Sequence, residues 1–501
     1  MIKNEKIDLS LLLMLSFFLS TYLFLYTYII SMDGAFQYIP IAQDFVSGLY
    51  RKALTHNQQP LYSFIMSFVY QWVGNFELAG KLVSSFFGIL IIFPVYFLGK
   101  RIFNEKVAFV STFLLIIHPY VRRFSADVLK ESTYLFFLAS ALWFSWRTIQ
   151  GEKRYPYLFI PLFSALTYLV RPDGIEVILV ALFYLLFIRE FSPLKQRWIV
   201  ILFLILSSLI LFSPYLIHLK ETTGIWTLSR AKTIEWFLGL KEVGYEVSWA
   251  KKILFAVKKL NLEILSVYHP LYIFLLFIGF IKRISSGFEN GEKYLLSFFI
   301  LHYIILFFFA LNLTEWNPDG TIKAVHFSGR HALPLLVFSI YWVGEGVLGF
   351  YDWINKKWEI RLSKPLESSK RSMMIWALLF ILILAIVLPK ALKPQRYERL
   401  PEKWAGEWLR REVGRGQLIF TTVPRVAFYA DGHYERIRPE TMKMDEVLNS
   451  MKQKNGLYLV IQEKERLNSP LANQILQQNF VELRRFEGKG MEKVILYKRV
   501  N

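Results

Sequence analysis

Apolar runs long enough to cross a lipid bilayer recur along this chain from residue 9 to residue 390. About 20 consecutive apolar residues in a helix span the hydrocarbon core of a membrane. Hydrophobic residues make up 54% of the 501 residues and charged residues only 20%, a balance that disordered chains and ordinary soluble enzymes do not have. The runs therefore predict a polytopic α-helical membrane protein.

Eleven segments are apolar enough to be membrane spans, although several are short for that role. The first segment lacks the small-x-small cleavage site of a signal peptide, so we expect it to remain as the first transmembrane helix. The sequence thus predicts about eleven transmembrane helices. The predicted spans are residues 9–30, 80–99, 107–121, 128–148, 156–170, 174–189, 198–217, 268–282, 294–312, 331–350 and 373–390.

Basic residues indicate how the spans are oriented. A net charge of +20 would suggest nucleic-acid binding in a soluble protein. Here the basic residues flank apolar segments, so retention of basic loops on the inner side of the membrane and attraction to anionic lipid headgroups account for the charge. We therefore expect no nucleic-acid partner. The inner segments and their edges carry 20 Lys and Arg, whereas the outer loops other than 219–266 carry seven, or nine with the edge residues Lys81 and Lys130. This asymmetry predicts an inner N-terminus and an outer C-terminus. Loop 219–266 fits poorly, because it holds eight Lys and Arg on the predicted outer side.

The last stretch, residues 391–501, has no run of spanning length. Helical patterns alternate there with short β-rich runs, which predicts a small extracytoplasmic α/β domain entered near Pro394 and Pro401. We therefore divide the chain into a transmembrane domain, 1–390, and this soluble domain. The predicted elements of the tail are helices at 402–412 and 442–451 and strands at 417–422, 457–461, 481–486 and 492–497.

The first outer loop, residues 31–79, carries an acidic residue close to the membrane. Asp33 follows the first predicted span within a few residues. One interpretation is a solvated residue at the boundary of the span, which is the common situation of an isolated Asp. The other is a carboxylate at the bilayer surface that partial burial tunes to act as a general base.

A second acidic cluster lies at a predicted outer turn, residues 118–131. Asp127 and Glu131 are four residues apart and share a face if a helix begins near Ser125, and Arg123 extends that face backwards. A Ser cap, with acidic residues favoured by the positive end of the helix, would explain Asp127 without any function. That explanation is weaker for Glu131, which lies deeper in the predicted span.

Arginines stand at two further predicted outer edges, Arg171 in a turn between short spans and Arg330 at the start of a late span. Such side chains can simply extend to lipid headgroups. Fixed guanidinium groups beside carboxylates also suit a phosphate-bearing lipid, because they can hold the phosphate as it leaves. Both interpretations stay open on the sequence alone.

The order of the acidic residues along 1–390 resembles the GT-C superfamily of polyprenyl-phosphate-sugar glycosyltransferases. The resemblance is to glycosyltransferase family 39, which includes protein O-mannosyltransferases and the aminoarabinose transferase that modifies lipid A. Members place an acidic residue just after the first span and another before a later apolar run, as Asp33 and Glu131 stand here. Asp-Glu or Asp-Asp is common at the first motif, whereas Gly34 follows Asp33 in this chain.

Three other stretches carry the same resemblance. The family's His-x-x-x-Pro-Leu-Tyr-like stretch is matched by residues 56–62, although Gln58-Gln59 stands where Pro is common. Its Arg-aromatic-x-x-Pro motif is matched by residues 330–334. The tail stretch 421–432 is loosely similar to a segment in the outer domain of bacterial members.

The resemblance implies transfer of a sugar from a polyprenyl-phosphate donor to a hydroxyl group of a protein, lipid or glycan at the extracytoplasmic face of the cytoplasmic membrane. Asp33 would be the general base, and Glu131 would orient the acceptor or share a proton with Asp33. No metal is required, because arginines can neutralise the leaving phosphate, and the chain has no Cys to form thiolate sites. The residues expected to bind substrate are Asp127, His56, Gln59, Tyr62, Arg122, Arg123, Arg171, Arg330 and His331.

Two alternatives remain open. A transporter or lipid flippase would place ionisable residues within the spans, whereas here the charges gather at the predicted outer rim. An oligosaccharyltransferase or an O-antigen ligase would transfer an oligosaccharide instead. The Trp-Trp-Asp-Tyr-Gly motif of an oligosaccharyltransferase is absent, and residues 316–320 resemble it only poorly. A ligase would have a longer outer loop with paired Arg and His, but the loop after His218 offers only Arg230 as a loose partner for that His. Neither the sugar nor the acceptor can be read from these motifs.

Overall fold

The computed structural model describes residues 2–152, 154–188, 194–230, 247–317, 319–361, 368–438, 442–465 and 470–500. The chain divides into two compact units. The first, which we call the membrane unit, consists of Met1–Phe24 and Tyr38–Lys393. The second, the C-terminal unit, consists of Leu25–Gln37 and Pro394–Asn501. The boundary predicted at residue 390 is thus close, but the segment 25–37, expected in the membrane part, belongs with the tail.

The membrane unit is built from helices, several of which begin at a residue that can cap them. Asn75 and Asn104 each accept a hydrogen bond from the backbone N–H three residues later, which satisfies an otherwise unpaired donor. The helices are α1 (Ile2–Leu25), α2 (Ile39–Val46), α3 (Tyr50–Leu54), α4 (Leu61–Val73), α5 (Phe76–Leu90), α6 (Ile92–Ile102), α7 (Glu105–Ile117), α8 (Pro119–Ser125), α9 (Glu131–Ile149), α10 (Phe159–Val170), α11 (Glu176–Phe187), α12 (Leu194–Thr223), α13 (Trp249–Val267), α14 (Pro270–Ser286), α15 (Asn290–Asn312), α16 (Leu333–Arg361) and α17 (Ser368–Ala391). A hairpin of β1 (Thr314–Trp316) and β2 (Ile322–Val325) follows α15.

Every predicted span overlaps one or two of these helices. Six helices among the described residues are long and apolar enough to cross a membrane, or up to eight if each of two bent pairs forms one span. Helices α10 and α11 have 12 residues each and rise only about 18 Å, which is short of a hydrocarbon core. A polytopic membrane architecture is therefore confirmed, whereas the count of about eleven crossings is not.

Two of the predicted spans end too late. The span 9–30 ends at Leu25, because the residues that follow pair with the C-terminal unit instead of continuing α1. The span 107–121 ends at Ile117, where the chain bends by 61° into α8. Pro119 has no N–H to continue the helical hydrogen bonds of α7, which explains the break.

Close packing of α14 against α16 fixes the start of α16. A Cβ atom on Gly279 would lie 1.9 Å from the carbonyl oxygen of Trp342, and one on Gly346 would lie 1.9 Å from that of Leu275. Glycine is therefore required at both positions for the two backbones to approach. A 3-10 turn, Gly329–Ala332, leads directly into α16 and is carried by this rigid pair.

The C-terminal unit contains a five-stranded mixed sheet with helices on both faces. The strand order is β4-β3-β5-β7-β6, with β3 parallel to β4 and β5, and with β7 antiparallel to β5 and β6. The two predicted helices and four predicted strands are confirmed to within a few residues, whereas α19, β4 and α21 were not predicted. The elements are α18 (Leu400–Glu412), β3 (Leu418–Thr421), α19 (Arg425–Ala430), β4 (His433–Arg436), α20 (Met444–Gln453), β5 (Tyr458–Gln462), α21 (Pro470–Asn479), β6 (Phe480–Phe486) and β7 (Val494–Arg499).

Candidate active site

A polar cavity of about 200 Å³ opens in the membrane unit where α9 begins, where α10 passes into the turn before α11, and where α15 passes into α16. Cationic and acidic side chains meet there, although these helices are otherwise apolar. Its ionisable and amide lining residues are Asn57, Gln58, Gln59, Lys130, Glu131, Arg171, Asp173, His326, Arg330 and His331.

Glu131 is the first residue of α9 and faces this cavity. Its residue surface is only 2% exposed, and its Oε2 atom has no hydrogen-bond partner among the described residues. A buried acceptor without a partner is costly, so such an atom at a cavity wall is a candidate for contact with a ligand.

The acidic pair at the start of α9 differs from the prediction. A helix does not begin near Ser125, which instead ends α8, and Asp127 lies in the turn between the two helices. Asp127 is fully buried and accepts a hydrogen bond from the N–H of Val128 at 2.7 Å. Asp127 and Glu131 therefore share no helical face, and only Glu131 lines the cavity.

Arg171 reaches the cavity as part of a buried ion pair. Its guanidinium group donates hydrogen bonds of 3.1 and 2.6 Å to the two carboxylate oxygens of Asp173, and it lies 4.5 Å from the ring centroid of Tyr134 on α9. Pro172 shapes the turn that brings these two residues together. The two-pronged contact and the aromatic ring together fix the orientation of the guanidinium group.

A second buried pair lies beside the first. His302 on α15 has its Nδ1 atom 2.7 Å from Oε1 of Glu176 and its Nε2 atom 3.2 Å from the carbonyl oxygen of His331. A carbonyl oxygen only accepts, so we assign a proton to Nε2, and one more proton is shared between Nδ1 and the Glu176 carboxylate. This pair connects the middle of α15 to the turn that carries Arg330.

Asp173, Glu176 and His302 also form a group of the type that binds a metal ion, because one ligand atom from each lies within 4.8 Å of the others. Two observations count against a resident cation. Both oxygens of Asp173 already accept from Arg171, and Glu176 is already paired with His302. The charges of the four side chains balance when His302 is protonated, so we interpret the group as a buried ionic network.

Arg330 and His331 lie in the 3-10 turn before α16, and both line the cavity, as predicted for a pair that meets substrate. The turn begins at Ser328, whose carbonyl oxygen lies 2.9 Å from Nδ1 of His331. The ring of His331 stacks on Phe327 at 5.4 Å between centroids. These contacts hold the turn in one conformation.

Gln59 is the one residue of the predicted stretch 56–62 that both lines the cavity and was expected to bind substrate. It donates to the carbonyl oxygens of Tyr168 and Leu228 and accepts from the hydroxyl of Tyr215. Its polar atoms are therefore already used to join three segments around the cavity.

The other two residues of that stretch do not line the cavity. His56 is 2.8 Å from Asp44, and although burial alone would raise the pKa of Asp44, its hydrogen bonds with Lys52 and His56 lower it below the usual value. Tyr62 is buried between α4 and α5, where its hydroxyl contacts Gly80 and Ser84. Both side chains already serve contacts within the protein, and their role as substrate ligands stays a prediction.

Arg122 was expected to hold phosphate; in the structure it makes contacts within the protein, and the phosphate role stays a prediction. Its guanidinium group is fully buried and donates to Ser16 and Ser20 on α1 and to the carbonyl oxygen of Gly88 on α5. These contacts join three helices, so the side chain stabilises their packing. The neighbouring Arg123 is exposed on α8 and does not line the cavity.

Asp33 belongs to the C-terminal unit. It is half-buried, and its Oδ1 atom accepts a hydrogen bond of 3.0 Å from the side-chain amide of Gln37. Seven residues, 26–32, separate it from the end of α1 at Leu25, so α1 does not fix its position. Its role as the general base stays a prediction.

Sequence reasoning missed the Glu176–His302 pair. Glu176 follows Asp173 by one helical turn, and His302 lies in the middle of an apolar run that otherwise reads as a membrane span. An ionisable residue inside such a run is costly unless it is paired, and this signal could have identified His302. Nothing in the sequence indicated that the two residues, 126 positions apart, are partners.

Comparison with known proteins gives a family match over part of the chain and a similar fold over nearly all of it. Residues 57–218 match the family model of dolichyl-phosphate-mannose-protein mannosyltransferases, a stretch that includes Gln59, Glu131 and Arg171. A sequence search of curated proteins finds no match.

Solved structures of other proteins superpose on nearly the whole of this chain. The crystal structure of ArnT from Cupriavidus metallidurans bound to undecaprenyl phosphate superposes with a TM-score of 0.57 at 11% identity, covering 99% of this chain and 98% of that one. The oligosaccharyltransferase AglB from Archaeoglobus fulgidus, in complex with an inhibitory peptide and a dolichol-phosphate, superposes with a TM-score of 0.52 at 11% identity, covering 98% and 74%. Both are GT-C proteins, so the predicted fold class is confirmed.

Proposed function

We propose that this chain, a member of the GT-C superfamily of glycosyltransferases, moves a sugar from a polyprenyl-phosphate donor to an acceptor hydroxyl group at the membrane. The observation that carries this proposal is the single cavity that Glu131, Arg171 and Arg330 line together. A carboxylate to engage a hydroxyl group and guanidinium groups to receive a phosphate are what such a transfer requires.

The reaction exchanges one bond at the anomeric carbon for another. The acceptor oxygen bonds to that carbon while the bond from carbon to the phosphate oxygen breaks, and the electron pair leaves with the polyprenyl phosphate. The proton of the acceptor hydroxyl passes to a carboxylate. We assign this proton to Asp33, following the sequence resemblance, and we assign to Glu131 the orientation of the acceptor.

The departing phosphate needs positive charge at fixed positions. Arg171 is held by Asp173 and Tyr134, and Arg330 is carried by the turn that His302 contacts through the carbonyl oxygen of His331. Groups held in place before the reaction stabilise developing charge without a cost of reorganisation. We propose Arg330, supported by Arg171, as the main phosphate ligand.

Transfer of labelled sugar from a polyprenyl-phosphate donor by the purified protein tests the proposal. Because the sugar is not known, a panel of polyprenyl-phosphate monosaccharides would be screened against acceptors extracted from the cell envelope. We expect release of polyprenyl phosphate that depends on the acceptor. Binding of donors without release by any member of the panel would favour a transporter or flippase.

The acceptor can be identified in cells. Mass spectrometry of envelope proteins, lipids and glycans from a deletion strain should reveal one missing sugar, and its attachment point would assign the acceptor class. A reporter fused after residue 395 should be active only outside the cytoplasm if the active site faces that side. A reporter active only in the cytoplasm would overturn the proposed orientation.

A further inference from the structure

We propose that the C-terminal unit positions the segment 26–33 for the reaction, and that Tyr429 is the positioning residue that acts on Asp33 through the backbone of Ile30. The inference rests on the proposed function, in which Asp33 removes the acceptor proton. It gives a role to the tail domain and to the stretch 421–432, which the catalytic assignments leave unused.

The segment is first joined to the tail through backbone atoms. The N–H of Gln395 donates to the carbonyl oxygen of Tyr26 at 3.1 Å, and Thr27 forms a parallel bridge with Gln395. The chain thus leaves α1 at Leu25 and immediately pairs with the residues that enter the C-terminal unit. This pairing sets the direction in which the segment runs.

Three side chains of the tail then bind three successive backbone groups of the segment. Lys403 donates to the carbonyl oxygen of Tyr28 at 3.4 Å, and Arg396 donates to that of Ile29 at 3.0 Å. The hydroxyl oxygen of Tyr429 accepts from the N–H of Ile30 at 3.1 Å.

Of these three contacts, loss of the Tyr429 hydrogen bond should destabilise the segment most. Ile30 is fully buried, so its N–H has no access to solvent and would be left without a partner if the hydroxyl were removed. The ring of Tyr429 is fixed by its surroundings. Lys403 lies 5.0 Å from its centroid, and a Cβ on Gly406 would lie 2.6 Å from the Cβ of Tyr429, so α18 and α19 pack closely.

Ile30 is close enough in the chain to Asp33 to restrict the position of that residue. Only two residues separate Ile30 from Asp33, which limits their Cα separation to roughly 10 Å. The chain then becomes helical at Met32 and continues as a π-helix, Gly34–Tyr38. The N–H of Gly34 donates to Oγ of Ser31 at 3.0 Å, and Gln37 donates to the Asp33 carboxylate. A catalytic carboxylate must be placed to within about an ångström for full effect, so loosening Ile30 should lower turnover.

Tyr429→Phe removes the single oxygen atom and tests the proposal. Hydrogen exchange of the full-length protein in lipid nanodiscs should show faster exchange of the amides of residues 26–34, with the β5 amides unchanged. The kcat should fall by about three- to tenfold while KM for the donor stays the same. The matched control is Tyr458→Phe, which removes one hydroxyl from β5 in the same unit and should leave both measurements unchanged.

The double variant with Asp33→Asn separates positioning from general stability. If Tyr429 acts through Asp33, adding Tyr429→Phe to Asp33→Asn should lower kcat no further. An equal loss in both backgrounds, unchanged exchange of residues 26–34, or an unchanged kcat in the single variant would each overturn the proposal. Absence of sugar transfer by the wild-type protein would defeat the proposed function, and exchange alone would then decide whether Tyr429 holds the segment.

Discussion

The cavity of the membrane unit and the segment 25–37 of the C-terminal unit each present one carboxylate, and the protein holds the two in different ways. Glu131 is the first residue of a long helix and is buried, with one oxygen atom unpartnered. Asp33 is half-buried in the helical turn that leads into a π-helix, Gly34–Tyr38, and the segment before it is bound by side chains of a domain more than 360 residues later in the sequence. The first is placed by helix packing and the second by the tail.

Because of this difference, the two carboxylates should respond differently to the loss of a single contact. A group fixed by a helix within a packed bundle keeps its position when a single contact is lost, because many others remain. A group at the end of a short bound segment depends on a few hydrogen bonds, so its position can also be changed from the tail. The variants below are ordered by the size of the effect that this comparison predicts.

Asp33→Asn should have the largest effect. The amide keeps the size and the contact with Gln37 but cannot accept a proton, so we expect kcat to fall by roughly 10²–10⁴ with donor binding preserved. Turnover of the labelled donor and its equilibrium binding would be measured on the same preparation. Asp319→Asn, an exposed Asp in the β1–β2 turn, is the control. Wild-type turnover by Asp33→Asn would transfer the role of base to another carboxylate.

Glu131→Gln should have a smaller effect on turnover, about 10- to 100-fold, because we assign it to acceptor orientation rather than to proton removal. The helix that carries it should stay intact, since Gln also suits a helix. The loss should appear in kcat with the identified acceptor, with KM for the donor unchanged. A loss larger than that of Asp33→Asn would exchange the two roles.

The arginines give a third test, because the sequence treated Arg122 and Arg330 alike and the structure separates them. Arg330→Ala should raise KM for the donor about tenfold with little change in thermal stability. Arg330→Lys should recover only part of this, because an ammonium group cannot form a two-pronged contact with phosphate. Donor titrations and thermal unfolding would be measured for each variant.

Arg122→Ala should show the opposite pattern. It leaves the hydroxyls of Ser16 and Ser20 and the carbonyl of Gly88 without their donor, so it should destabilise the protein by on the order of 1–3 kcal/mol with donor KM unchanged. A raised KM in stably folded Arg122→Ala would restore the sequence prediction that this residue binds phosphate.

The sequence predicted features that depend on local pattern. Apolar runs located helices in the membrane unit, and the alternation of the tail located α18, α20 and four strands, because hydrophobic periodicity follows directly from which face is buried. Glu131, Arg171 and Arg330 were identified because charge at the end of an apolar run is unusual. Their meeting around one cavity followed from the family resemblance, and residues 57–218 carry that resemblance most clearly.

Features that depend on distant partners were not predictable. The first helix was extended to residue 30 because the residues after Leu25 are apolar, and only the bridge of Thr27 to Gln395 explains why the helix ends earlier. The expectation that charges gather at the outer rim was likewise incomplete. Glu176 and His302 lie within helices, where each neutralises the other, and such pairing cannot be read from a single sequence.

Asp127→Asn should have the smallest effect, and it tests whether proximity to Glu131 in the sequence means a shared role. The Asp127 carboxylate accepts from the N–H of Val128 in the turn before α9, and an Asn side chain can accept from the same donor. We therefore expect near wild-type turnover and a stability change within about 1 kcal/mol. The measurement is the same turnover assay, made beside Glu131→Gln on preparations matched for monodispersity. Loss of activity in Asp127→Asn alone would mean that the second acidic role belongs to the turn and that the cavity around Glu131 serves another purpose.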